Sequence, residues 1–357
     1  MVAYSASKSD TIMNEVLIKA VFTKMAEYKP ALQKYLITDD DEEEEIDTRI
    51  LGDLVIKNLP WPIGVELRRL LSGSMRQLDR ARLDQLFKTI ERTMQFLSFV
   101  LVAQLWEECI KKQITLSDDF VNQFRNRFTV LTMGNYTWLI RGICKVFSEN
   151  NTDHFIIEKK DIFNKKFFDM LDFWVPERND IGHYQINLTQ DEIERRCVEY
   201  EEKLKLILEA IAFFARYKLV TVRQISVMKQ KHREATFNHF FDLLNSSDSD
   251  FKSTEIQHDV YVDSNAVLVM KDFKSPNEFL NLSPLVIDTR TEIIDSKDKF
   301  SIKKDIFLFT KFQNDKIFYV GTEVTSKCDL SYLSSYKDLV EQYKELATTI
   351  EQSRNPA

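Results

Sequence analysis

Two short stretches organise this chain: Pro176-Glu177-Arg178-Asn179-Asp180-Ile181-Gly182-His183 and, just after it, Thr189-Gln190-Asp191-Glu192. The first places an arginine, an amide, two carboxylates and a histidine side by side. Pro176 biases the residue before it away from the helical region, so the spacing predicts a chain break there. Gly182 would permit a sharp bend beside His183. The second stretch is a capping box, in which a Thr hydroxyl and a Glu carboxylate satisfy each other's backbone donors. It predicts a helix through Ile193, Val198, Leu204, Ile207, Leu208, Ile211 and Phe214 to about Tyr217. The polar cluster therefore stands where a run of helices turns into a capped final helix.

Working outward towards the N-terminus, further helical patterns precede the cluster. Residues 11–36 carry Ile12, Val16, Val21, Met25, Leu32 and Leu36 at amphipathic spacing, with Pro30 as a kink or division. Leu59-Pro60-Trp61-Pro62-Ile63 reads as a rigid connector. Val65 to Leu71 is a short helix stopped by Ser72-Gly73-Ser74. Asp79 to Lys112 is a long helix whose stripe is Leu83, Leu86, Phe87, Ile90, Met94, Leu97, Leu101 and Leu105. Ser117 caps a helix through Phe120, Phe124, Phe128 and Leu131. Tyr136 to Phe147 and Asp161 to Phe173 complete the set. Long helices with short connections predict an up-and-down bundle.

After Lys218 the period changes from helical to alternating. Val220 to Val227, His258 to Lys271 (two strands), Leu285 to Ile294, Asp305 to Phe312 and Lys316 to Thr322 read as strands. Gln313-Asn314-Asp315 suits a hairpin turn. Phe237, Phe240 and Phe241 around His239 read as a core helix. Asn245 to Asp250 reads as a mobile loop, and Leu333 to Ile350 as a terminal helix. The expected class is α+β, a mainly helical bundle followed by a smaller antiparallel sheet. The expected division is 1–47, an N-terminal helix and acidic linker; 48–219, the bundle; and 220–357, the β-rich part.

Composition limits the function. The chain has 357 residues, 44% apolar and 29% charged, with 26 Phe and only 7 Gly, which favours helices and short turns. A net charge of -7 argues against broad adhesion to nucleic acid while leaving room for a local basic site. Much of that excess lies in the run Asp39 to Glu45. Its plain reading is a solvated linker; its sharper reading is a phosphate-mimicking tether over a basic groove. No apolar run is long enough for a membrane span, and no signal peptide is visible, so a cytoplasmic protein is expected. Cys109, Cys144, Cys197 and Cys328 form no C-x-x-C pair and read as reduced thiols. A phosphate-cradling Gly-rich loop, an H-E-x-x-H, a zinc spacing and a G-x-S-x-G elbow are all missing, so no cofactor and no metal are called.

What remains is the cluster. A guanidinium grips phosphate by parallel bonds, and an imidazole moves a proton near neutral pH. Arg178-Asn179-Asp180-Ile181-Gly182-His183 resembles the R-N-x-x-x-H form of the HEPN family signature, most strongly over residues 80–220. The resemblance implies a helical bundle with the signature beside the start of a long helix. It also implies metal-independent endoribonuclease activity of the kind found in toxin–antitoxin, abortive-infection and anti-phage systems. On that reading Arg178, His183 and Asn179 are catalytic, and Glu177 and Asp180 position Arg178. The partners are RNA, a second copy that completes the site, and an antitoxin or phage-sensing protein. Trp61-Pro62-Ile63, Phe213 to Leu219 and Leu282-Ser283-Pro284-Leu285 are similar to bacterial conflict proteins that carry a β-rich tail.

Three other readings stand beside it. Arg178 and Asp180 form a surface pair while His183 caps a turn. The chain is a non-catalytic interaction or sensor module, whose N-terminal amphipathic face needs a cover. The cluster binds or transfers nucleotides, without a companion motif. Arg233 to His239 also satisfies the signature's spacing, but lacks the polar neighbour and the capped helix.

Overall fold

The computed structural model describes residues 8–36, 47–153, 155–156, 162–183, 188–245, 252–264, 266–273, 278–290, 304–323 and 327–354. The acidic run 39–45 and residues 246–250 of the expected loop lie outside them. The chain forms two compact units built from discontinuous segments. One draws on 1–93, 160–217 and 245–249, the other on 94–159, 218–244 and 250–357. The cut falls inside one long helix. The segments 1–47, 48–219 and 220–357 describe composition along the chain rather than this grouping.

The first unit is helical. It contains α1 (Lys8–Tyr28), α2 (Thr48–Asn58), α3 (Trp61–Leu70), the start of α4 (Arg80–Ile110), α7 (Lys165–His183) and α8 (Gln190–Ala210). Pro30 divides the N-terminal pattern: α1 stops at Tyr28 and a 3-10 turn, Pro30–Tyr35, follows. Leu17, Ile18, Val21, Phe22 and Met25 are buried, whereas Val16, counted in the expected stripe, is 47% exposed. The buried face of α1 packs on α2, α8 and the 3-10 turn Ala212–Arg216, so it is covered within its own unit. The expected connector at Trp61-Pro62-Ile63 is instead the first turn of α3, because Pro tolerates that position where its missing N–H has no helical partner. The Thr189 capping box forms as read: Glu192 N donates to Thr189 Oγ1 at 3.4 Å, and Thr189 N donates to Glu192 Oε2 at 3.0 Å. The helix it starts ends at Ala210, before the 3-10 turn.

The second unit combines the rest of α4 with α5 (Asp118–Phe128), α6 (Met133–Glu149), nine strands among the described residues and α9 (Tyr336–Gln352). Every residue of the expected α4 stripe is buried, and residues 93–105 are buried all round. The strands form two antiparallel sheets, not one. The larger has the order β3 (Ser253–His258), β2 (Thr236–Leu243), β1 (Lys218–Met228), β4 (Val267–Met270), β5 (Phe279–Asn281). The smaller runs β6 (Val286–Asp288), β7 (Ile306–Gln313), β8 (Lys316–Gly321), β9 (Lys327–Asp329). Asn314 and Asp315 both adopt positive φ, 53° and 56°, the turn that two-residue hairpin loops require.

The segment around His239 is a correction. Phe237, Phe240 and Phe241 mimic helical spacing, but Thr236–Leu243 is a strand paired on both edges, to β1 and to β3. A bulge in β1, where Val222 faces Phe241 and Gln224 faces Phe240, shifts the face that each residue presents. Phe241 joins Val220, Val222, Val262, Ala266, Leu268 and Met270 in this sheet's core. No helix among the described residues is long and apolar enough to cross a membrane.

Candidate active site

The Arg178 cluster does not begin at a chain break. Helix α7 runs through Pro176 and carries the whole segment to His183 in its last two turns. Proline removes the N–H that would bond the Asp172 carbonyl, and its ring crowds that carbonyl. Packing on both sides outweighs the loss. Before Pro176, the fully buried Trp174 meets Phe87 edge-on at 5.6 Å, and Phe173 meets Tyr200 at 5.6 Å. Tyr200 in turn stands edge-on to Phe87 at 5.3 Å. These rings pin α7 against α4 and α8 one turn ahead of the proline.

After Pro176, Glu177 is tied down by two groups of α8. The Tyr200 hydroxyl donates to its carboxylate, and Arg196 Nη1 lies 3.5 Å from it. Arg196 Nη1 also donates to the Tyr200 oxygen at 3.1 Å, closing a triangle. Burial, then the Glu177 carboxylate, push the Tyr200 phenol well above its ordinary pKa, so it stays a donor. Glu177 is thus a partnered carboxylate that fastens the post-proline turn to α8. It faces Arg196 rather than Arg178.

Arg178, the next residue, points elsewhere. Its side chain is 48% exposed, and Nη2 stands 3.8 Å from Glu91 Oε1 on α4. That is an ion pair too long for a hydrogen bond. Asn179 is exposed. The backbone of Asp180, Ile181, Gly182 and His183 is helical, so Gly182 makes no bend. Their side chains lie outside the described part, and so do the surface pair expected between Arg178 and Asp180 and the turn cap expected of His183. On a regular helix, five residues separate the Cα of Arg178 from that of His183 by about 7.5 Å of rise and about 140° of rotation.

The same helical unit holds a buried ion pair. Arg82 of α4 and Glu201 of α8 are 1% and 3% exposed, and Arg82 Nη2 bonds the Glu201 carboxylate. Arg82 also donates to Asn14 Oδ1 at 2.8 Å and to the Met75 carbonyl at 2.5 Å. Arg82 Nε and Glu201 Oε1 have no hydrogen-bond partner. Burial raises the Glu201 carboxyl above its usual range, against the opposing pull of Arg82.

The sequence marks Glu177, Arg178, Asn179, Asp180 and His183, but not Tyr200, Arg196, Arg82, Glu201 or Glu91. The spacing of Arg196 and Tyr200, one turn apart on a capped helix, was the only local signal for that pair. Nothing local marked Glu91. The competing pair at Arg233 and His239 falls apart in the fold: Arg233 is exposed in a turn, and His239 is fully buried in β2. Among the described residues, no three His, Cys, Asp or Glu side chains are grouped to hold a metal ion. Comparison with family models, curated proteins and solved structures returns no match for this chain.

Proposed function

We propose that the chain is a HEPN-type, metal-independent endoribonuclease of bacterial anti-phage defence or of a toxin system, acting as a homodimer on RNA. The observation that carries this reading is the Arg178 guanidinium. It is exposed, it is loosely paired with one carboxylate, and it sits on a helix end fastened by Trp174 and by the Glu177–Tyr200–Arg196 triangle. Such a group can reach a phosphate without abandoning a strong partner. The engagement of Glu177 with Arg196 and Tyr200 also favours the reading, because a carboxylate paired in this way repels RNA less than a free one.

The chemistry is an internal transfer. The ribose 2′-oxygen forms a bond to the adjacent phosphorus while the bond to the 5′-oxygen breaks, leaving a 2′,3′-cyclic phosphate. His183 accepts the 2′-hydroxyl proton, and the His183 of a second copy donates one to the departing 5′-oxygen. Arg178 neutralises the charge that builds on the phosphorane. Asn179 binds the phosphate or orients the histidine. DNA, without the 2′-hydroxyl, is not cut.

Purified Arg178→Ala and His183→Ala variants should lose cleavage of single-stranded RNA by about 10²-fold or more while keeping wild-type mass and unfolding behaviour. Wild-type cleavage should persist in excess chelator. Undiminished cleavage by both variants would discard the site. A dimer that binds a protein partner and never cuts RNA would instead establish the interaction-module reading.

A further inference from the structure

The turn joining β1 to β2 is the most concentrated basic feature that the Arg178 site does not use. Eight consecutive residues, Val227-Met228-Lys229-Gln230-Lys231-His232-Arg233-Glu234, are all exposed. They hold three permanent cations against one carboxylate in a chain whose net charge is -7. Among the described residues, Lys229, Lys231 and Arg233 form no ion pair within 4.0 Å. Some cations elsewhere do have close carboxylates, as Arg80 has Asp84 at 3.0 Å and Lys344 has Asp315 at 2.8 Å.

The turn is also pre-shaped. Strand pairing continues out to Met228↔Thr236. His232 reverses the chain at a φ of 63°, Arg233 N donates to the Gln230 carbonyl at 3.3 Å, and the Lys229 ammonium bonds the Arg233 carbonyl. The backbone of the turn is therefore already ordered before a ligand arrives, and binding need not fix it.

We propose that this β1–β2 turn is a binding site for the phosphate backbone of single-stranded RNA, with Lys229, Lys231 and Arg233 as the phosphate contacts. The inference rests on the endoribonuclease reading only for the identity of the polyanion; the binding itself needs no cleavage. Gln230 lies between the two lysines as an amide suited to base edges or to 2′-hydroxyls. A lipid surface fits less well. Val227 and Met228, 60% and 49% exposed, are adjacent strand residues on opposite faces, so they make no common apolar edge to insert. The tip beyond them has no large apolar residue.

The test uses the full chain and a fluorescein-labelled 2′-O-methyl oligouridine, which has no free 2′-hydroxyl and so separates binding from cleavage. Anisotropy titrations run between about 50 and 200 mM salt. The K229E/K231E/R233E variant should bind at least about tenfold more weakly at the lowest salt. Its log affinity should depend on log salt with a slope smaller by about 2, since each single-strand phosphate contact contributes about 0.7. Lys231→Glu alone, at a side chain with no hydrogen bond among the described residues, should lose a smaller part of the affinity and guards against misfolding of the triple variant. Equal binding by wild type and both variants overturns the proposal, as does failure of the wild type to bind the probe. Loss of binding to phosphatidylserine vesicles with RNA binding untouched overturns it in favour of a membrane. Arg178→Ala separates the two readings: probe binding that still depends on Lys229, Lys231 and Arg233, without cleavage of ordinary RNA, leaves both standing, whereas normal cleavage removes only the catalytic assignment.

Discussion

Arg178–His183 and Arg233–His239 satisfy the same loose spacing rule, and the fold treats them in opposite ways. The first pair lies within the end of one helix, with its arginine beside Glu91 and its preceding carboxylate fastened to another helix. The second is split between an exposed turn and a strand interior. His239 Nε2 accepts from Val262 N at 3.3 Å, its Nδ1 lies 3.1 Å from the Phe237 carbonyl, and its ring stacks on Phe241 at 5.7 Å. A histidine held by both nitrogens is a core residue in one fixed tautomer. Spacing therefore selects a site only together with the secondary structure that interprets it.

The largest effect expected from breaking this contrast is catalytic. Arg178→Ala should remove cleavage, as proposed above, by about 10²-fold or more. If Arg233 serves only RNA binding, as proposed, Arg233→Ala should leave kcat unchanged, raise KM and weaken its salt dependence. Steady-state cleavage of one RNA by both variants makes the comparison. A fall in kcat for Arg233→Ala would assign chemistry to the wrong pair.

Much of the scaffold behind this contrast was legible in the residues. The Thr189 box, the α4 stripe and the Asn314-Asp315 turn each depend on neighbours a few positions apart, and each forms as read. Two features depended on distant partners and were misread. Pro176 should stop a helix on local grounds, yet rings from α4 and α8 hold α7 on course past it. The Phe237, Phe240 and Phe241 cluster fits a helix until β1 and β3 claim its backbone. The candidate site divides in the same way. Arg178 and Asn179 stand together in sequence, whereas Tyr200 and Glu91 reach the segment only through folding.

Next in size is the buried pair of Arg82 and Glu201. Arg82→Ala strands the Glu201 carboxylate in a buried setting and should cost about 3–5 kcal/mol in urea unfolding. Adding Glu201→Gln should recover part of that loss, since no charge then remains without a partner. A double variant as unstable as the sum of the singles would mean that the two residues are not coupled.

The two regions should also respond to pH in opposite directions. Burial, with His258 adding to it, lowers the His239 pKa below the ordinary histidine value. The folded chain therefore binds fewer protons here than the unfolded chain. This contribution to stability is intact above about pH 6.5 and is lost as the pH falls through the folded value. Glu201 is raised by burial, so its folded form binds more protons, and its contribution is lost as the pH rises through the folded value. Unfolding midpoints between about pH 5 and pH 7.5 should fall with acid less steeply in His239→Phe than in the wild type. In Glu201→Gln, the loss of stability towards higher pH should flatten. Parallel curves for all three proteins would remove both groups as titrating contributors.

The smallest expected effect bears most directly on how Arg178 works. Its partner Glu91 is 35% exposed and 3.8 Å away, a geometry in which ion pairs are worth about 0.2–1 kcal/mol. Glu91→Gln should therefore barely move the unfolding midpoint. On the proposed reading Glu91 competes with a phosphate for the same guanidinium, and the amide removes that competition without removing the side chain's bulk. KM for RNA should fall by no more than about fivefold, the factor equivalent to 1 kcal/mol, with kcat unchanged. If kcat instead drops while KM stays fixed, Glu91 is holding Arg178 in the geometry that the phosphorane needs. The loose pair would then be a positioning contact made for the transition state rather than a resting place for an unused charge.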